Sequence, residues 1–174
     1  MMGNAAPELR KMTIIGAGFM GHNIAAAALS ADVPVTLIDM QPKVLQDAVG
    51  KIGRILRELE EMEMIPSGGA EEKMKLLTPG ERLEDGLAGS DLVLESIQEN
   101  LSSKQALLKA IDGIGAEEGT LVATNTSSFR ISELQKGRSF AGRFLGFHWV
   151  NPPYLIPAVE IIPGEKTDPA TVER

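Results

Sequence analysis

A doubly wound α/β fold with a mostly parallel sheet is what this sequence predicts, and three observations predict it. Short apolar runs alternate with helical periodicity along the chain, a glycine-rich turn joins the first run to the first helix, and a carboxylate closes the second run.

The elements follow in order. Residues 1–10 show no periodicity and read as a loose leader ahead of one domain over residues 11–174. Residues 12–15 make a first strand closed by Gly16, and residues 19–29 a helix with Met20, Ile24, Ala27 and Ala28 on one face. Residues 35–39 form a second buried-type strand and complete a βαβ unit. Pro42 opens a long helix in which Leu45, Ala48, Val49, Ile52, Ile55, Leu56, Leu59 and Met62 recur at three and four, weakened by Gly50 and Gly53. Pro66-Ser67-Gly68-Gly69 breaks the pattern, and a short helix over 71–77 is stopped by Pro79-Gly80. Strands are then expected at 81–83, 91–96, 120–124, 144–149 and 159–162, with a helix over 101–111 that turns Leu107, Leu108 and Ile111 inward. Asp168-Pro169 is a helix start, an N-cap followed by a first-turn proline.

Composition excludes several classes of function. The chain is 174 residues long and 43% hydrophobic, enough for one core. It lacks both a membrane-length apolar run and a signal-peptide pattern, so the reading is cytoplasmic, with no membrane partner. The absence of cysteine removes disulfides, thiolate catalysis and thiolate metal sites, and no metal is expected. A net charge of -7 argues against nucleic acid as a partner, because phosphate neutralisation needs a clustered basic surface. An anionic ligand must then be held by local devices.

Gly16-Ala17-Gly18-Phe19-Met20-Gly21 is such a device. The hexamer leaves a strand and enters a helix: Gly16 permits the tight turn, Gly18 lets backbone approach a pyrophosphate, and Gly21 permits close helix–strand packing. The anion sits on the free N–H groups and positive dipole end of the helix, with Phe19 and Met20 in its first turn. Asp39 lies where a carboxylate accepts hydrogen bonds from ribose hydroxyls, and neither Met40 nor Gln41 supplies the arginine that tolerates a 2′-phosphate. NAD is therefore the expected cofactor of this Rossmann-type domain. His22, just past the loop, reads as a solvent-facing first-turn residue.

The second half carries a candidate acid–base pair. His148 ends a strand before the stiff Asn151-Pro152-Pro153 turn, and Glu160 opens an apolar strand where a buried carboxylate needs a partner. A carboxylate on one imidazole nitrogen fixes the tautomer and leaves the other nitrogen as a base. Asn125-Thr126-Ser127-Ser128 follows a strand and places side-chain donors at a carboxyl-end loop, the pattern of a helix cap as well as of a site.

In order and spacing, the glycine loop, Asp39, Glu95-Ser96-Ile97-Gln98-Glu99-Asn100, residues 125–128 and Gly146-Phe147-His148-Trp149-Val150-Asn151-Pro152 resemble the N-terminal domain of the 3-hydroxyacyl-CoA dehydrogenase family. The resemblance implies His148 as catalytic base, Glu160 as its orienting partner and Ser127 as donor to the substrate oxygen. It also places Glu99 and Lys104 near the nicotinamide ribose and Asn125 among the cofactor-binding residues.

The substrate it implies is a 3-hydroxyacyl-CoA, in fatty acid metabolism. Two departures matter: the positions the family uses around coenzyme A are Ile55 and Met62 here, and the stretch from Val150 to Glu160 resembles the gulonate 3-dehydrogenase and lambda-crystallin branch, and carnitine dehydrogenases, equally well. A free hydroxy acid is the alternative substrate, and a non-catalytic NAD-binding module is a further reading. The related hydroxyisobutyrate and phosphogluconate dehydrogenases leave the His–Glu pair unexplained. The family adds a helical C-terminal domain that shapes the substrate pocket and makes a homodimer. That domain is absent from this sequence, which predicts NAD binding with little turnover and a docking surface near Tyr154-Leu155-Ile156-Pro157.

Overall fold

A computed structural model describes residues 9–156 and 158–174, so the expected leader lies outside the described residues apart from Leu9 and Arg10. Seven strands form one sheet: β1 (Met12–Ile15), β2 (Val35–Ile38), β3 (Leu77–Gly80), β4 (Leu92–Glu95), β5 (Leu121–Thr124), β6 (Phe144–Trp149) and β7 (Val159–Pro163). Their order is β3-β2-β1-β4-β5-β6-β7. The first six are parallel and β7 is antiparallel to β6. Strand order reverses between β1 and β4, and the crevice at such a switch point is where doubly wound sheets bind ligands.

Strands β1, β2 and β4 are buried at every position, as mostly apolar runs covered on both faces require, with Thr13, Thr36 and Glu95 the polar residues among them. Helix α1 (Phe19–Ser30) joins β1 to β2, α2 (Pro42–Glu61) follows β2, α3 (Gly69–Met74) and α4 (Glu84–Leu87) flank β3, and α5 (Leu101–Ile114) joins β4 to β5. Helix α6 (Ile131–Leu134) and a 3-10 turn (Ala141–Arg143) lead into β6, and α7 (Pro169–Glu173) follows β7. Two apolar clusters fill the space beneath the helices. One is centred on Ile14, Ile24, Leu37, Ile52 and Leu56, the other on Val93, Leu108, Ile111, Val122 and Phe144.

The structure departs from the sequence reading in several places. The strand expected at 81–83 is instead Leu77–Gly80, which pairs with β2, and the short helix stops at Met74. Pro79, a stop signal in the sequence, is tolerated in β3 because β3 is the outer strand, where a missing N–H breaks no ladder. Helix α1 buries Ala25, Ala26 and Asn23 as well as Ile24, because it is covered by the sheet on one side and by α2 on the other; no single apolar face survives. His22 is 6% exposed for the same reason, against the solvent-facing expectation. Glu160 is not buried: its side chain is 66% exposed, because β7 is the opposite outer strand. Leu155, Ile156, Ile161 and Ile162 are exposed on and beside β7, while Pro157 lies outside the described residues. Among the described residues no helix is long and apolar enough to cross a membrane.

Candidate active site

The site hangs from the carboxyl ends of the parallel strands, with Glu160 added from the antiparallel β7. Gly16 leaves β1 at φ +105°, and a Cβ there would stand 2.6 Å from the Ser96 carbonyl oxygen. A Cβ on Gly21 would stand 1.8 Å from the Gly16 carbonyl oxygen, so the loop closes onto α1 backbone against backbone. Gly18 is different. Its φ is -63°, open to any residue, and a Cβ there would meet nothing in the chain within 4 Å. The chain itself gives no reason for glycine at 18; a ligand brought against this backbone does. No side chain caps the start of α1 and no acid lies in its first turn, so its amides remain for an anion. The residues present fit a dinucleotide.

Asp39 follows β2 and is half-buried. Its Oδ2 accepts from the Ala17 amide at 2.9 Å and its Oδ1 from the Gln41 amide at 3.0 Å, so the carboxylate braces the glycine loop. Each oxygen keeps a lone pair for a further donor. NADH is expected to bind at least about tenfold more tightly than NADPH, since a 2′-phosphate meets this charge at contact distance. Asp39→Ala should narrow the ratio while weakening both, as measured by calorimetric titration. Equal affinities in the native chain would contradict the placement of Asp39 at the ribose.

His22 Nδ1 lies 2.6 Å from the Gly18 carbonyl oxygen and its ring meets Phe19 edge-on. Burial holds its pKa below the ordinary 6.5, outweighing the Gly18 hydrogen bond. A base depressed in the folded state contributes stability that is complete above the unfolded value, and that stability is lost as pH falls through the folded one. Unfolding free energy should therefore decline as pH drops below about 6.5, and His22→Gln should flatten that part of the curve. Urea titrations at about pH 7.5 and about pH 5 check this; identical slopes in both proteins would remove His22 as the cause.

On the other side of the switch point, β6 and β7 place His148 directly opposite Glu160. His148 Nδ1 lies 2.7 Å from Glu160 Oε2, and Nε2 lies 3.0 Å from Ser127 Oγ. The expected pairing is therefore present, although with an exposed carboxylate. Since Glu160 can only accept, Nδ1 carries the hydrogen and Nε2 accepts from the serine. The His148 side chain is 27% exposed, open to the crevice but braced on both nitrogens.

Residues 125–128 follow β5. The Asn125 amide donates to the Glu95 carbonyl, and its Oδ1 accepts from the Trp149 amide at 2.9 Å, which ties this loop to the end of β6. Glu99 Oε1 accepts from Thr126 Oγ1 (2.5 Å) and from the amides of Ser127 (3.2 Å) and Ser128 (3.1 Å). Burial pushes the Glu99 carboxyl up, but the Thr126 hydroxyl, the Lys104 ammonium and the Ser128 amide outweigh it and hold the pKa below the usual carboxylate range. Lys104, expected near a ribose, is 1% exposed and lies behind Glu99. Thr126 and Glu95 belong to motifs the sequence displays, but the sequence assigns neither of them a role. The signal for Glu95 was available, an acid closing an apolar strand, with Lys104 on the inward stripe of Leu108 and Ile111.

Among the described residues no group of three or more His, Cys, Asp or Glu is placed to hold a metal. The family model for the 3-hydroxyacyl-CoA dehydrogenase NAD-binding domain matches residues 11–174. The 5-formyl-3-hydroxy-2-methylpyridine 4-carboxylate 5-dehydrogenase of Mesorhizobium japonicum is 34% identical over 165 residues, covering 94% of this chain and 52% of that protein. The lambda-crystallin homolog of Bos taurus is 32% identical over 173 residues, covering 99% and 53%. The crystal structure of (S)-3-hydroxybutyryl-CoA dehydrogenase from Ralstonia eutropha superposes with a TM-score of 0.89 at 32% identity, over 95% of this chain and 58% of that one. The chain thus spans about half the length of these relatives.

Proposed function

We propose, from the premise that this chain belongs to the 3-hydroxyacyl-CoA dehydrogenase family through its NAD-binding domain, that it serves the reversible oxidation of the 3-hydroxyl of a 3-hydroxyacyl-CoA, with His148 as base. The observation that carries this is the hydrogen-bonded line Glu160–His148–Ser127 beside the crevice of the glycine loop.

His148 Nε2, with Nδ1–H tied to Glu160, takes the proton of a substrate hydroxyl that displaces the Ser127 hydroxyl from it. The Ser127 hydroxyl donates to the same oxygen and holds it. Glu160 stabilises the imidazolium as the proton arrives, a preorganised charge that requires no rearrangement during the step. Gly16, Gly18, Phe19, Met20 and Gly21 would hold the diphosphate of NAD, Asp39 its adenosine ribose, and Glu99 and Asn125 its nicotinamide half. When bound, NAD supplies the hydride acceptor.

A free hydroxy acid is the second reading. Ile55 is packed in the core and Met62 is exposed, so neither position offers coenzyme A a polar contact, and the relatives include a carboxylate dehydrogenase and a lambda-crystallin homolog. A non-catalytic NAD-binding module leaves the His148–Glu160 pair without a purpose. On the proposed reading, residues 11–174 are the cofactor unit of a longer cytoplasmic protein, a homodimer through a further domain.

The test is an assay of the whole gene product with NADH against acetoacetyl-CoA, dehydrogulonate and dehydrocarnitine. Turnover of acetoacetyl-CoA alone supports the first reading, and turnover of either free acid alone supports the second. The 174-residue chain should bind NADH with little turnover, because positioning by enclosing walls accounts for several kcal/mol of a barrier. Turnover at the parent's rate would contradict this.

A further inference from the structure

A buried pair, Glu95 and Lys104, stands behind the site, and the proposed mechanism uses neither residue. Glu95, at the end of β4, is 0% exposed, and Lys104, in the first turn of α5, is 1% exposed. Lys104 Nζ lies 2.6 Å from Glu95 Oε1, 3.3 Å from Glu99 Oε2 and 3.3 Å from the Ile97 carbonyl oxygen. An ammonium has three donors, and three oxygens of the chain meet this one. Glu95 is itself pinned: Oε1 also accepts from the Ile97 amide at 2.8 Å, and Oε2 accepts from Thr124 Oγ1 at 2.5 Å, at the end of β5.

The two carboxylates that share the ammonium are unequal. Glu95 is fixed to two central strands, whereas Glu99 sits in the connection between β4 and α5 and is 40% exposed. Force balance in such a line runs from the fixed end to the movable one. Its movable end carries residues 126–128, since Glu99 Oε1 accepts from Thr126 Oγ1 and from the Ser127 and Ser128 amides. Ser127 in turn reaches His148, and Lys104 touches neither.

We infer that Lys104, anchored by Glu95, is a positioning residue that draws Glu99 beneath the 125–128 loop and so sets Ser127 Oγ against His148 Nε2. The inference rests on the proposed role of Ser127. A pair that merely stiffened the core would act on the whole sheet alike; a positioning pair acts selectively on one loop.

Lys104→Met alone strands the Glu95 carboxylate in the core and risks unfolding. The working variant is therefore Glu95→Gln with Lys104→Met, which removes both charges and keeps an amide able to bond Thr124 and Ile97. Amide hydrogen exchange and the ring nitrogen shifts of His148 are read by NMR on this chain, whose two histidines make assignment direct. Exchange at Ser127 and Ser128 should rise about tenfold in the variant while amides of β1 and β4 hold within about twofold, and the His148 Nε2 shift should move to its value in Ser127→Ala. Unchanged loop exchange and Nε2 shift, or an equal rise across the whole sheet, would overturn the inference. Turnover of Ser127→Ala in the whole gene product separates the two ideas: unimpaired turnover sinks the role of Ser127 while the exchange result still decides that of Lys104.

Discussion

Gly21→Ala is expected to destabilise the chain by about 3 kcal/mol or more and to abolish NADH binding. The added carbon would stand 1.8 Å from the Gly16 carbonyl oxygen, and both groups are backbone, so neither rotates away. Relief requires α1 to lift from β1, which opens the turn that presents the anion site. Gly18→Val provides the contrast, since a Cβ there meets nothing in the chain within 4 Å. It should keep stability within about 1 kcal/mol but lose about a hundredfold in NADH affinity, close to 3 kcal/mol of binding. Urea unfolding and calorimetric titration of the two variants separate a glycine needed by the fold from one needed by the ligand. A Gly21→Ala chain of native stability, or a Gly18→Val chain that binds NADH as before, would contradict this division.

His148→Gln is expected to lower kcat of the whole gene product by about a thousandfold, within the range a positioned general base contributes. NADH affinity should change less than about twofold, because no part of the glycine loop or Asp39 touches the ring. Glu160→Gln should fall in between, since an amide still orients Nδ1–H but no longer stabilises a charged ring. The carboxylate is exposed, so water screens that contribution and the effect of Glu160 should be well below that of His148. Steady-state rates with the best substrate of the panel decide it, and a variant that keeps native turnover would leave His148 without a chemical role.

How much of this was legible in the sequence depends on whether a feature is local. The glycine loop was readable because turn, helix start and strand are consecutive, and the structure adds the atoms that a Cβ at Gly16 or Gly21 would strike. The central strands were readable because strands covered on both faces are mostly apolar, and each of these three carries only one polar residue, Thr13, Thr36 or Glu95. The third strand was misplaced because Pro79 breaks strands in general, and only the sheet order reveals that it lies at an edge. His22 and Glu160 failed in opposite directions for one reason: burial depends on what covers an element, here α2 for the first and nothing comparable on β7 for the second. At the site, His148 and Glu160 are paired in the sequence by the expectation of a buried carboxylate and by the family resemblance, whereas the structure joins them across β6 and β7 with the carboxylate exposed. The Glu95–Lys104–Glu99 line joins β4, α5 and the loop after β5, and no periodicity within one element reports such a meeting.

The central claim is that one crevice, between the glycine loop and the Ser127–His148 pair, holds both NAD and the reacting alcohol. The most direct measurement is a crystal structure of this chain with NADH. The account predicts the diphosphate over Gly18 and the start of α1, Asp39 bonded to the adenosine ribose, and the nicotinamide beside Ser127 and His148. A nicotinamide directed away from His148, or a diphosphate bound elsewhere than on the glycine loop, would contradict it.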